Sequence, residues 1–245
     1  MNDAELAIHI ADAAGRMLLD LRERGEFDGK ALGGEGDRIA NAFIMETLRR
    51  ERPADAILSE EEINDVARCQ VERVWIVDPL DGTREYGEGR SDWAVHVALA
   101  VGGKASIGAV ALPGLGLTLN SANPISLSPP PATLRMLVSR TRPAAEAVAV
   151  AAKLSAELVP MGSAGAKAMA VVRGEADIYL HSGGQYEWDN CAPVAVAQAA
   201  GLHCSRIDGS PLRYNCPNPW LPDVLICPVA LADEVLRLVR DVTPA

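Results

Sequence analysis

Leu6, Ile10, Ala14, Met17 and Leu21 recur at helical spacing between Asp3, a residue type that caps helix starts, and Gly25, one that ends them. The chain therefore opens on an amphipathic helix. A second helix is predicted after Asp37, with Ile39, Phe43 and Leu48 on its buried side. The period then changes. Ala56-Ile57-Leu58 and Val74-Trp75-Ile76-Val77 are short apolar runs closed by acidic or turn residues, the pattern of buried strands. Trp93 to Ala100 and Ala105 to Leu112, separated by Gly102-Gly103-Lys104, read as an antiparallel pair. From Ser121 to Thr133 four prolines interrupt any periodicity, which predicts a linker. Beyond it a strand is expected at Leu134–Val138, helices at Ala144–Leu158 and Ala166–Val172, a strand at Ile178–Leu180 and a helix from Asp189, its N-cap, to Ala200. The expected organisation is an α+β half over residues 1–125, carrying most candidate ligands, and an α/β half over 133–245. Together they make a layered α/β sandwich.

Composition narrows the function. Of 245 residues, 49% are hydrophobic and 23% charged, so a core can form and disorder is not indicated. Lys and Arg number 23 against 33 Asp and Glu, a formal charge of −10 without a basic block, which argues against a nucleic-acid partner. A phosphorylated substrate would need a bound cation to attract it. Five cysteines without C-x-x-C spacing indicate neither a disulfide framework nor a zinc ribbon. The N-terminus does not read as a signal peptide, and no apolar run reaches membrane-spanning length. The expectation is a cytoplasmic protein without a membrane partner.

The most informative segment is Asp78-Pro79-Leu80-Asp81-Gly82-Thr83-Arg84-Glu85, which sets two carboxylates three residues apart where a buried strand stops. Strand ends are where α/β proteins place sites. Pro79 stiffens the turn, so Asp78, Asp81 and the Leu80 carbonyl can converge as three hard oxygen donors for Mg²⁺ or Mn²⁺. Gly82 leaves room for a phosphate near the backbone amides, and Thr83 offers a hydroxyl to water. Glu60 closes the preceding strand in Ser59-Glu60-Glu61-Glu62, and strand adjacency would bring it beside Asp78. Asp189, in Trp188-Asp189-Asn190-Cys191-Ala192-Pro193, starts an apolar helix and could be both cap and ligand.

L-S-E-E at 58–61, D-P-L-D-G-T-R-E at 78–85, G-S-A-G-A-K at 162–167 and W-D-N-C-A-P at 188–193 stand in an order and spacing that resemble the inositol monophosphatase-like family over nearly the whole chain. Arg84, Glu85 and Tyr86 after D-P-L-D-G-T look most like its CysQ branch, the 3'(2'),5'-bisphosphate nucleotidases. The resemblance implies an αβαβα sandwich of the inositol monophosphatase and fructose-1,6-bisphosphatase type, dependence on two or three Mg²⁺ ions with Mn²⁺ as a substitute, lithium sensitivity and often a homodimer. It implies metal ligation by Glu60, Asp78, the Leu80 carbonyl, Asp81 and Asp189, and a catalytic group of Thr83, Asp37 and Glu60. Asp37 follows Gly33-Gly34-Glu35-Gly36, which reads as a glycine-rich loop where relatives have a P-V-T-x-A-D type segment, and it could equally cap the second helix. Substrate contacts would come from Leu80, Asp81, Gly82, Thr83, Arg84, Gly162, Ser163 and Asp189, with Lys167 as a counter-charge or a solvated helix lysine.

The implied activity is metal-assisted hydrolysis of the 3'-phosphate of 3'-phosphoadenosine 5'-phosphate to AMP, in sulfur metabolism. Ser182 stands where inositol-preferring relatives carry a glutamate, which disfavours inositol phosphates. Fructose 1,6-bisphosphate, inositol 1-phosphate and a non-catalytic nucleotide sensor are the alternatives. Asp78 and Asp81 are one residue too far apart for a haloacid-dehalogenase pair, and Walker A and G-x-S-x-G are absent. His9, His96, His181 and His203 lack H-E-x-x-H spacing and are expected to be packed or exposed.

Overall fold

The computed structural model describes residues 1–129 and 131–242; Pro130, inside the expected linker, and residues 243–245 lie outside the described residues. Helices α1 (Asp3–Arg24) and α2 (Gly29–Glu51) come first. A sheet follows, built from β1 (Ala56–Ser59), β2 (Arg73–Asp81), β3 (Ala94–Val101), β4 (Lys104–Leu112) and β5 (Leu117–Asn120), with the short helix α3 (Thr83–Gly87) between β2 and β3. The strands lie in sequence order; β1 and β2 are parallel and the other neighbours antiparallel.

The second half contains β6 (Arg135–Ser139), α4 (Ala145–Leu154), β7 (Glu157–Met161), α5 (Ala164–Val172), β8 (Ile178–Tyr186), α6 (Glu187–Ala199), β9 (Leu202–Ser205), β10 (Trp220–Pro228) and α7 (Val229–Val242). Its sheet runs β7-β6-β8-β10-β9. Helices α1 and α2 cover one face of the first sheet, α5 and α6 lie between the sheets, and α4 and α7 cover the far face of the second. This is the five-layer αβαβα order.

Side-chain parity in the strands explains the layers. Val74 and Ile76 of β2 join the cluster between the sheets, whereas Trp75 and Val77 join the cluster under α1 and α2. Alternate residues of a strand point to opposite faces, and both faces here are covered, so the strand is apolar throughout. A third cluster holds α4 and α7 against β6, β8 and β10 through residues such as Met136, Leu225 and Val235. Each fully buried Leu, Ile or Val in these layers contributes roughly 1.5–3 kcal/mol relative to exposure.

Several boundaries differ from expectation. Asn2, not Asp3, caps α1, and Leu18 rather than Met17 lies on its buried stripe; Asp3 is free to pair with Arg52 and Arg73. The α2 helix starts at Gly29, so Gly33 to Gly36 are helical and Asp37 sits in the helix interior, not at its cap. Contact explains this: a Cβ on Gly33 would stand 2.6 Å from Thr83 Cγ2, and one on Gly36 would meet Leu18, Leu80 and Tyr86 at 3.0–3.1 Å. Close helix packing thus outweighs a penalty of about 1 kcal/mol per helical glycine. Helix α4 ends at Leu154, and Glu157–Met161 forms an edge strand parallel to β6 instead of continuing the helix.

Candidate metal and active site

In a regular strand Asp78 and Asp81, three apart, would face opposite sides of the sheet. The β2–β3 register shifts between them: Asp78 lies opposite His96 and Asp81 opposite Ala94, three steps along β2 against two along β3. The irregularity falls at Pro79, which has no N–H to donate, and it re-aims Asp81 toward the inter-sheet layer that Asp78 already faces. Leu80 turns the other way, into the core beneath α1 and α2, while its N–H donates to Asp78 Oδ1 at 3.1 Å.

Asp189 arrives from the opposite sheet. It is not the N-cap of α6 but the third residue of its first turn, and it accepts the Tyr186 N–H at 2.6 Å. Ligand oxygens of Asp78, Asp81 and Asp189 lie within 4.8 Å of one another. Glu60 follows β1, its N–H donating to the Val77 carbonyl at 3.3 Å, and its carboxyl group hydrogen-bonds Asp78.

These carboxylates divide by their surroundings. Burial pushes Asp81 upward, but the His96 imidazolium, the Ser163 hydroxyl and the Gly165 N–H outweigh it and hold the group at about 2. Ser163 Oγ and Gly165 N donate to Asp81 Oδ2 at 2.5 and 2.6 Å, and Ala164 N donates to Oδ1 at 3.1 Å. His96 Nε2 stands 3.2 Å from Oδ2, an ion pair without aligned hydrogen-bond geometry. The other carboxyl groups lack such support. Burial, then Glu60, Asp81 and Asp189, raise Asp78 well above the carboxylate range. Burial and the Asp81 charge lift Asp189 to about 6. Glu60 is exposed by area, yet desolvation within the cleft and the Asp189 charge push it up to about 7.

Asp37 projects from α2. Its pKa is raised to about 7 by burial and by Glu61, against a hydrogen bond from Thr83, and its Oδ1 is buried without a hydrogen-bond partner. Thr83 Oγ1 also stands 3.1 Å from the Leu80 carbonyl, as a donor to it. Gly82 takes a left-handed φ of 88°, and a Cβ there would press Ser163 at 3.1 Å, so a side chain is excluded on both counts. A cavity of about 450 Å³ adjoins Thr83, walled by Gly29, Lys30, Arg84, Gly87 and Glu88. Hard oxygen donors that repel one another, with raised pKa values and an orphaned carboxylate oxygen alongside, fit a divalent cation of the Mg²⁺ type.

The outlying candidates sit differently. Arg84 is exposed and pairs with Glu88 at 2.8 Å. Gly162 N donates to Asp92 Oδ2 at 2.7 Å. Lys167 is neither solvated nor at the cleft mouth: it is 5% exposed, and its Nζ donates to the Gly162 and Ser163 carbonyls at 2.5 and 2.6 Å. It braces the loop from beneath. Ser182 donates to Glu146 at 2.5 Å. Sequence reasoning missed His96 as a partner of Asp81, and Glu61 as the charge next to Asp37. An imidazole inside the apolar run 94–101 was the available signal for the first.

A model of the inositol monophosphatase family matches residues 4–242. This chain belongs to that family. A protein of Mycobacterium leprae named 3'-phosphoadenosine 5'-phosphate phosphatase is 49% identical over 257 aligned positions, covering 99% of this chain and 95% of that protein. The 3'(2'),5'-bisphosphate nucleotidase CysQ of Escherichia coli K12 is 30% identical over 76% of this chain and 80% of its own length. Among solved structures, CysQ from Bacteroides thetaiotaomicron, described as a bacterial inositol monophosphatase family member, superposes with a TM-score of 0.79 at 25% identity, covering 92% of this chain and 97% of that one. The expected fold and family are borne out.

Proposed function

We propose that this chain hydrolyses the 3'-phosphate of 3'-phosphoadenosine 5'-phosphate, giving AMP and inorganic phosphate, with Mg²⁺ held by Glu60, Asp78, the Leu80 carbonyl, Asp81 and Asp189. The carrying observation is the meeting of Asp78, Asp81 and Asp189 from two sheets within 4.8 Å. The likeness of the whole chain to a phosphatase named for that nucleotide supports the substrate. Bound metal would supply charge neutralisation for the phosphate dianion and a more acidic water.

The chain's own groups do the rest. Thr83, whose single hydroxyl hydrogen goes to the Leu80 carbonyl or turns to the adjacent Asp37, orients the attacking water. Asp37, with its pKa near 7, receives the proton, and Glu60, hydrogen-bonded to Asp78 and raised to about 7, is the second group able to take one. The Gly82 region and the Gly162-Ser163 loop, braced by Lys167, receive the phosphate and ribose, and Arg84 guards the approach. The reading includes two or three Mg²⁺ ions, Mn²⁺ as a substitute, a homodimer and a cytoplasmic setting. Among the described residues no helix is long and apolar enough to cross a membrane.

The test compares phosphate release from 3'-phosphoadenosine 5'-phosphate, fructose 1,6-bisphosphate and inositol 1-phosphate, with Mg²⁺ and with EDTA. The nucleotide should have the highest kcat/KM, and EDTA should abolish turnover. No release from the nucleotide, or release that survives chelation, overturns the reading. A Thr83→Ala variant separates an enzyme from a sensor, because a sensor shows no turnover in either form.

A further inference from the structure

Five of the ten aromatic side chains are used up in the core: Trp75, Trp93, Tyr86, Tyr179 and Tyr214 are all buried. Three are exposed, Phe27 at 39%, Tyr186 at 44% and Trp220 at 47%. Two of those three stand side by side, and one of them, Tyr186, bonds Asp189 through its backbone. Tyr186 ends β8 and Trp220 begins β10, and the two are directly opposed in the antiparallel register, so their side chains leave the same face of the sheet. Trp188 stacks on Tyr186 with ring centroids 4.7 Å apart and planes within 7°. The Trp220 indole lies over Gly184, where a Cβ would meet Nε1 at 2.7 Å. A single exposed ring is ordinary, but adjoining exposed rings make a contiguous apolar patch of the kind that marks a binding site.

These rings are tied to the metal-site residues through the backbone. The Tyr186 N–H donates to Asp189 at 2.6 Å, which ties the end of β8 to that carboxylate. His96, whose Nε2 faces Asp81, has its Nδ1 2.9 Å from the Trp188 carbonyl. The Glu187 N–H donates to the Pro219 carbonyl at 2.8 Å, and the buried Glu187 carboxylate accepts the N–H groups of Asn215 and Cys216, which fixes the chain leading into Trp220. The rings and the aspartates therefore form one preorganised unit, with neutral flat surfaces beside the place where phosphate charge would be held.

We propose that Tyr186 and Trp220, with Trp188 behind Tyr186, form a stacking platform for the purine base of the substrate while its 3'-phosphate lies against Asp189. The inference rests on the nucleotidase reading above and assigns the part of the site that recognises the base. Stacking suits this role because it needs no charge and tolerates only flat ligands.

The test uses Tyr186→Ala, Trp220→Ala, the double variant, and Tyr186→Phe with Trp220→Phe. Two readouts are taken: the ratio of kcat/KM for 3'-phosphoadenosine 5'-phosphate over that for a base-free sugar phosphate, and quenching of tryptophan fluorescence by AMP with Mg²⁺ present. Each alanine variant should lower the ratio about tenfold, through KM, and Tyr186→Ala, which keeps every tryptophan, should weaken AMP quenching to match; phenylalanine should restore the ratio at both positions and the quenching at Tyr186. An unchanged ratio in the double variant overturns the platform, and so does an equal loss on both substrates. If the wild type binds AMP with quenching that Tyr186→Ala removes, yet never cleaves the nucleotide, the hydrolytic reading falls and the platform stands. If it cleaves the nucleotide and the variants keep their KM, the platform falls and the hydrolytic reading stands.

Discussion

Asp78 and Asp81 share one strand, one face and nearly complete burial, yet they live in opposite electrostatic worlds. Asp81 accepts from Ser163, Ala164 and Gly165 and faces the His96 imidazolium, so its charge is already matched by the protein. Asp78 is surrounded by Glu60, Asp81 and Asp189 and has only the Leu80 N–H on its side. One carboxylate is placed by the fold; the other waits for a cation. The contrast teaches that the site is assembled around Asp81 and charged up elsewhere.

The most severe way to break this comparison is to neutralise each aspartate in turn. Asp78→Asn and Asp81→Asn should both lower kcat by on the order of 10³-fold or more, since each removes several kcal/mol of charge stabilisation at the phosphate. Their stabilities in EDTA should diverge. Asp81→Asn strands His96 and breaks a buried pair, a loss of about 3 kcal/mol or more, whereas Asp78→Asn relieves repulsion and should leave the metal-free protein as stable as wild type or more so. Thermal unfolding with chelator reads both. Equal destabilisation would mean that the two carboxylates are held alike.

Asp37 sharpens the same division from the side of α2. Asp37→Asn should lower kcat by roughly 10²-fold or more, the range for loss of a general base, because no proton acceptor is left beside Thr83. It should leave the rise in Tm on adding Mg²⁺ intact, since Asp37 is outside the aspartate cluster. If the Mg²⁺-dependent rise in Tm vanished with Asp37, the residue would be a ligand and not a base.

A pH titration of the metal-free protein comes next in size. Asp37 at about 7, Asp189 at about 6, Glu60 at about 7 and Asp78 are all raised, so between pH about 4 and 7 the folded state binds more protons than the unfolded one. Stability therefore falls as pH rises through that window. His96 is also raised and acts in the same direction, while the lowered Asp81 acts only below pH about 4. With the exposed Glu60 discounted for solvent screening, Tm in EDTA should be about 5–10 °C lower at pH 8 than at pH 5. Mg²⁺ should recover the loss at pH 8 and do much less at pH 5, where Glu60, Asp78 and Asp189 hold protons and Asp81 alone stays ionised. A metal-free Tm that rose with pH would reverse the assignment.

What could be read beforehand follows the same physics. Strand ends closing in carboxylates, the D-P-L-D-G-T turn and the W-D helix start were visible because each is a local pattern. The facing of Asp81 was not, since a spacing of three in a strand points to opposite faces until the register shift beside Pro79 is known. The glycines before Asp37 suggested a loop because helix propensity is local, while the contact of Gly33 with Thr83 is not. Glu157–Met161 merged with the preceding helix for a similar reason: five residues on a sheet edge carry too little alternation to stand apart. His96 takes its role from Asp81 on the neighbouring strand and Lys167 from burial beneath its own loop, and no spacing announces either.

The mildest prediction contrasts two cations near the cleft. Lys167 is buried with both its bonds going to the Gly162 and Ser163 carbonyls, whereas Arg84 is exposed and holds only Glu88. Arg84→Ala should move Tm by no more than about 1 °C, as expected for an exposed ion pair. Any effect on activity should fall on KM for the nucleotide and fade as salt is raised, because screening already weakens an exposed charge at physiological ionic strength. Lys167→Met, by contrast, should lower Tm by several degrees and kcat with it, since the loop that donates to Asp81 loses its brace. If Arg84→Ala lowered kcat without touching KM or its salt dependence, Arg84 would be acting on the reacting phosphate itself and not on the approach to it.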